Sequence, residues 1–174
     1  MVSKFRSFML FCLLMFSSVA LGQNIKGHYV SKSQPDGTIY HTMPVTLFEN
    51  NTSGDLVFDL TYKQHSGRVT LNFTYEVAQP LSADSVRFVS GTTIFSGAVQ
   101  KMYVEPNQKM WKHRYSLTTS IQPLYVFFNE KALPEVTIYA DGKAYVYRVK
   151  RAAWRNYAPV GFKIFEMIRF NETN

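Results

Sequence analysis

The side chains best equipped for chemistry in this sequence are four histidines, a pair of aspartates and two groups of basic residues set among aromatic ones. His28, His41, His65 and His113 fall in no H-x-H or H-E-x-x-H spacing, and the only cysteine, Cys12, is remote from all of them, so no soft-metal ligand set can be read. His65 sits in a predicted turn, where a solvated imidazole suffices. His28 and His41 fall on neighbouring predicted strands and are assigned ordinary surface or core positions. Asp55 and Asp59 share one face of a predicted strand, as carboxylates in general acid–base pairs do, but Thr61 on the same face marks it as a solvated side. The sequence contains no G-x-S-x-G elbow, S-x-x-K pair, glycine-rich phosphate loop or calcium-loop spacing. The residues therefore predict a non-enzymatic protein, with no catalytic residue, metal or cofactor assigned.

Basic side chains beside aromatic rings can hold anions or sugars by charge and stacking. Arg148, Lys150, Arg151 and Arg155 alternate with Tyr147 and Trp154, while Lys109, Lys112 and Arg114 surround Trp111. Trp154 opens an apolar helical stripe and is assigned to the core, with the arginines beside it reaching outward. Trp111 follows the turn signal Glu105-Pro106-Asn107 and is read as a contact residue. The candidate binding residues are thus Trp111, Lys112, Arg148, Arg151 and Arg155. The partners they suit are an envelope protein, a glycan or another anionic surface, and nucleic acid is not expected.

The elements that must position these residues are mostly short strands. Aromatic residues make up 16% of the chain and recur in alternating runs bounded by Gly, Pro, Asn and Asp. Residues 55–63 and 68–77 form one predicted hairpin, in which Tyr62 faces Val69, Leu60 faces Leu71, Phe58 faces Phe73 and Leu56 faces Tyr75. Its opposite face pairs Thr61 with Thr70, Asp59 with Asn72 and Val57 with Thr74. A slip of one residue would set apolar against polar throughout, so the register is specified. Residues 135–140 and 143–149 form a second hairpin across Asp141-Gly142, a dipeptide suited to a type I′ turn. There Ile138 opposes Tyr145, Val136 opposes Tyr147 and Glu135 meets Arg148. Further strands are predicted at 26–31, 38–48 (Pro44 marking a bulge or edge), 85–90, 93–104, 113–120 and 124–129. From 152 to 170 the period changes: Trp154, Tyr157, Gly161, Ile164, Phe165 and Ile168 follow helical spacing. Pro159 predicts a kink there or two shorter helices, and 160–170 also alternates tolerably as a strand.

The first 22 residues have the pattern of a cleavable secretory signal. Lys4 and Arg6 precede the apolar run 8–16, and Ala20 and Gly22 occupy the −3 and −1 positions of a cut between Gly22 and Gln23. The run is too short for a spanning helix, which needs about 20 apolar residues. Cleavage of the 174-residue chain at that point leaves 152 residues without cysteine, and removal of Lys4 and Arg6 lowers the net charge from +7 to +5. An exported domain without disulfides fits a bacterial periplasm or cell surface. Sequons at Asn50, Asn51, Asn72 and Asn171 leave a eukaryotic secretory route open.

The expected architecture is a single mainly β domain over 23–174, an antiparallel sandwich of about 7–10 strands with a C-terminal helix near 152–170. The expected role is that of an exported, non-enzymatic binding module. One alternative is an outer-membrane β-barrel. Another is a small closed barrel around a hydrophobic ligand. Ile25-Lys26-Gly27-His28-Tyr29 resembles the lipocalin opening of Gly, any residue, then an aromatic, with Tyr in place of Trp. The resemblance spans five residues, and no other lipocalin motif follows it.

Overall fold

A computed structural model describes residues 25–173, so the signal sequence and its Gly22–Gln23 junction lie outside the described residues. After a short 3-10 turn at Lys26–His28, the chain forms β1 (Tyr29–Gln34), β2 (Gly37–Thr42), β3 (Val45–Asn50), β4 (Gly54–Lys63), β5 (Arg68–Val77), β6 (Ala83–Ser90), β7 (Thr93–Ala98), β8 (Gln100–Asn107) and β9 (Met110–Ser120). Helix α1 (Ile121–Asn129) follows, then β10 (Glu135–Ala140), β11 (Lys143–Val149) and helix α2 (Arg151–Thr173). All pairings are antiparallel. The fold is thus mainly β with a C-terminal helix, as the sequence predicts.

Instead of two stacked layers, 11 strands form one sheet in the order β7-β6-β10-β11-β3-β4-β5-β9-β8, with β2 also on β4 and β1 on β2. The sheet curls until it is nearly closed. The chain passes from one end strand, β7, to the other, β8, through Val99 alone. Gly97 of β7 lies so close to β9 that a Cβ there would come within 2.6 Å of Leu117 Cδ1. Bulges at Thr46/Phe48, Tyr139/Ala140 and Lys101/Tyr103 supply local bends of the kind that curl a sheet.

Both predicted hairpins form in the predicted register: Tyr62–Val69, Leu60–Leu71 and Phe58–Phe73 in one, Ile138–Tyr145, Val136–Tyr147 and Glu135–Arg148 in the other. Asp141 and Gly142 both take positive φ (49° and 73°), as a type I′ turn demands. Other expectations need correction. Residues 26–28 are a turn, with the strand starting only at Tyr29, and 38–48 divides at Met43-Pro44, where the amide-less proline ends pairing with β1. The predicted strand 93–104 breaks at Val99, because each half serves a different end of the sheet. The predicted strand at 124–129 is part of helix α1, which buries Ile121, Leu124, Phe127 and Phe128 along one side. Helix α2 runs as one element through Pro159, which lies on its exposed side, so two separate helices do not form.

The two helices fill the concave side of the curl. The ring of Phe128 lies 5.3 Å from that of Trp154, 5.4 Å from Phe165 and 6.2 Å from Phe58 on the sheet. Strands as distant in the sheet as β6 and β4 meet these helices around one residual void of about 10 Å³, lined by Phe48, Phe58, Leu71, Phe88, Leu124 and Phe128 among others. That is no more than the room one water needs. The far end of α2 is fastened to the β4–β5 turn, where Glu172 accepts hydrogen bonds from the Tyr62 hydroxyl (2.5 Å) and the Gly67 amide (2.8 Å).

Gly161 of α2 lets the helices approach closely, since a Cβ there would sit 2.6 Å from Phe128 Cδ1. Gly161→Val should therefore destabilise the fold by about 2 kcal/mol, as overpacking typically costs ~1–3 kcal/mol and a ring caged by other rings has nowhere to move. Denaturant titration measures this. An unchanged midpoint would mean that α2 is not seated on α1 as described.

Candidate binding surface

The side of β4, β5 and β9 that faces away from the helices is built from hydrogen-bonding side chains. Its rungs follow from the register: Thr61–Thr70–Thr118, then Asp59–Asn72–Ser116, then Val57–Thr74–Arg114. At its centre Asp59, only 8% exposed, takes hydrogen bonds from Arg114 Nη2 (2.8 Å) and Asn72 Nδ2 (2.9 Å). The other arm of Arg114 donates to Thr74 Oγ1 at 2.9 Å. Thr70 and Thr118 share a hydroxyl hydrogen bond of 3.0 Å, and His41 Nδ1 lies 3.1 Å from Thr61 Oγ1. Below these rungs runs a line of charge. Lys150 bridges Glu49 and Asp55, which face each other across β3 and β4, and Lys112 lies 3.8 Å from Glu105. Asp55 and Asp59 thus each have a cation of their own, and the paired-carboxylate geometry does not arise.

One end of the curled sheet is a cluster of phenols under a short connection. Tyr75, Tyr115 and Tyr147 are buried there with His113, which is 0% exposed and stacks on Tyr75 at 4.9 Å. His113 Nε2 accepts the Leu81 amide (2.8 Å), so its proton sits on Nδ1, which donates to the Trp111 carbonyl (2.8 Å). Burial pushes this imidazole below its ordinary value, while the Trp111 carbonyl and Asp141 oppose the shift. With both nitrogens committed to backbone, His113 positions the connection between β5 and β6. Burial likewise drives the Tyr147 hydroxyl up to about 12, with the hydrogen bond from Ser53 Oγ (3.0 Å) acting in the opposite sense. The Tyr75 hydroxyl is pushed up by burial and by its phenol neighbours, and it is buried without a hydrogen-bond partner. Such an orphan costs on the order of 1–3 kcal/mol.

The residues singled out from the sequence occupy two places. Trp111 is half-buried on β9, opposite Val77 and Pro106. Its neighbour Lys112 reaches Glu105 and lies 5.7 Å over the Tyr103 ring. Arg148 is 81% exposed at its side chain on β11, with Glu135 at 3.8 Å. Arg151 and Arg155 are exposed on the first turns of α2. Three strands, β3, β4 and β5, separate β11 from β9. At about 4.8 Å per strand that is on the order of 19 Å along the sheet, so Arg148, Arg151 and Arg155 gather at the junction of β11 and α2, away from Trp111 and Lys112, which as consecutive strand residues point to opposite faces of β9. Trp154 is 6% exposed and stacks on Phe128, in keeping with its assignment to the core.

His28 and His41 do not meet: His28 approaches the Tyr157 ring on the helix side, and His41 approaches Thr61 on the polar side. Among the described residues no cluster of three His, Cys, Asp or Glu side chains could hold a metal ion. The Asp59–Arg114 pair is absent from the sequence reading because it needs the pairing of β5 with β9, whose signal is spread over strands 34 residues apart in register at Val77↔Trp111 and wider beyond.

Comparison with known proteins adds no relative: no family model matches the chain, and no curated protein or solved structure matches it either. The geometry alone therefore defines the class, a nearly closed antiparallel sheet plugged by two helices with a polar outer face.

Arg114→Met should destabilise the fold by roughly 2 kcal/mol, because it leaves the nearly buried Asp59 carboxylate without its cation. Adding Asp59→Leu should recover part of that loss. Thermal or denaturant melts of the single and double variants check this, and equal additive losses would mean the pair is not coupled.

Proposed function

We propose that this protein is an exported, non-enzymatic interaction module of a bacterial periplasm or cell surface, binding an anionic partner on its outside. The observation carrying this reading is the surface of Arg148, Arg151 and Arg155. Arg151 and Arg155 stand one helical turn apart, both exposed, and among the described residues no carboxylate pairs with either. Arg148 alone has a carboxylate nearby, at 3.8 Å and well exposed to solvent, where an ion pair contributes little. Guanidinium groups left open in this way suit carboxylate- or phosphate-bearing glycans and acidic protein surfaces.

The two alternatives fare less well. Against a hydrophobic ligand inside the curl speaks the filling of the concave side by α1 and α2, around a void of about 10 Å³. A membrane barrel turns apolar side chains outward to lipid. Here the outward side of β4, β5 and β9 carries Thr61, Asp59, Asn72, Thr70, Arg114 and Thr118. No helix among the described residues is long and apolar enough to cross a membrane. Export itself rests on residues 1–22 as a sequence pattern.

Release by osmotic shock without detergent, followed by titration with a polyuronic acid, tests the reading. Arg151→Glu/Arg155→Glu should weaken binding at least about tenfold, leave the melting temperature unchanged, and behave as added salt does on the native protein. Binding equal to wild type in that variant would remove the assigned surface. Retention in the detergent-extracted membrane fraction would favour the barrel instead.

A further inference from the structure

The connection between β5 and β6, residues 78–82, separates two clefts of about 190 and 310 Å³, and Leu81 lines both. The first cleft continues to Thr52, Ser53 and Tyr145; the second continues to Lys101, Val104, Tyr115 and Asp141. Beneath the connection lie Tyr75, His113, Tyr115 and Tyr147, all no more than 1% exposed, with the unpartnered Tyr75 hydroxyl among them. Few bonds keep it down. Leu81 donates its amide to His113 Nε2, the Tyr115 hydroxyl donates to the Leu81 carbonyl (3.0 Å) and accepts the Ala83 amide (3.0 Å), and Ser82 exchanges two bonds of 3.2 Å with Asp141.

We propose that residues 78–82 are a proton-released strap: neutral His113 holds it closed over the tyrosine cluster, and a second proton on Nε2 lifts it, joining the two clefts into one phenol-lined groove. The device is independent of the arginine surface and of export. Nε2 can serve the Leu81 amide only as an acceptor. Once protonated it sets a donor against a donor, and a buried charge is left without a counter-ion in hydrogen-bond contact. The phenol ring of Tyr75 on β5 stacks on His113, and behind it Tyr75 meets Tyr115 on the His113 strand and Tyr145 and Tyr147 on β11. Asp141 faces it from the β10–β11 turn, and Lys101 of β8 lines the cleft that Asp141 shares. The Trp111 carbonyl and Asp141 both favour the imidazolium, but burial outweighs them and holds the closed-state value below 6.5.

The sign follows from that depression. A histidine of lowered affinity for protons holds the strap fully above its ordinary value of 6.5, and the hold is lost as pH falls below it. The opening equilibrium rises by up to about tenfold per pH unit in that window. Backbone amide exchange in the whole protein, corrected for the intrinsic pH effect, reads it. Between pH 8 and pH 5, protection at Leu81 and Ala83 should fall, by up to about thirtyfold, while protection at Leu71 in central β5 stays constant. In His113→Gln, whose side-chain oxygen can accept the Leu81 amide without titrating, the loss at Leu81 should vanish. Unchanged protection at Leu81 in the native protein at pH 5 would overturn the proposal, whether or not the variant folds. So would parallel loss at Leu71, which would mark global acid unfolding.

Discussion

Everything in this fold hangs on the seating of Phe128 in its aromatic cage. An antiparallel sheet that curls almost shut has a concave side too narrow for a second layer and too wide to be filled by its own side chains. Helices α1 and α2 supply the missing volume, and the ring of Phe128 is where α1, α2 and β4 touch at once. Gly161 makes room for this contact, since a side chain there would run into the ring. From this contact the rest follows: the inward side chains of β3, β4, β5 and β6 are apolar because they meet the helices, and their alternates are polar because they meet water.

The same alternation explains which parts of the structure were legible in the sequence. The hairpins at 54–77 and 135–149 could be written out pair by pair, because each is closed by a short turn and each mispairing would bury polar groups. The C-terminal helix was legible from its stripe, and Trp154 went to the core accordingly. Helix α1 was not, because Leu124-Tyr-Val-Phe-Phe128 is a short, continuous apolar run that suits a buried strand or a buried helix equally well. The choice between them comes from the curl, which offers that segment a pocket rather than an edge. Nor could closure into a single sheet be read, since it depends on the one-residue passage at Val99 and on pairings between segments far apart in sequence.

Of the candidate site, the residue types were legible and their grouping was not. Arg148, Arg151 and Arg155 stay together because one short junction joins β11 to α2. Trp111 and Lys112 lie several strands away, a separation set by sheet order. His113 lacked any signal that would distinguish it from the other three histidines. Its role depends on Leu81, which the chain brings to it only when β6 leaves β5 to pair with β10.

The junction between β3 and β11 has a consequence for how the molecule comes together. Only Phe48↔Val149 and Glu49↔Arg148 are paired there, supplemented by the Lys150 amide on the Leu47 carbonyl. By contrast, the ladder between β5 and β9 runs from Arg68↔Ser120 to Val77↔Trp111. The strands β6, β7, β10 and β11 are thus joined to the remainder of the sheet by a short ladder whose partners are about a hundred residues apart in the chain. Closing a loop of that length costs chain entropy before the contact rewards it, so this ladder is intrinsically slow to form. The barrel is in effect a clasp, and the aromatic cage of the helices keeps it fastened.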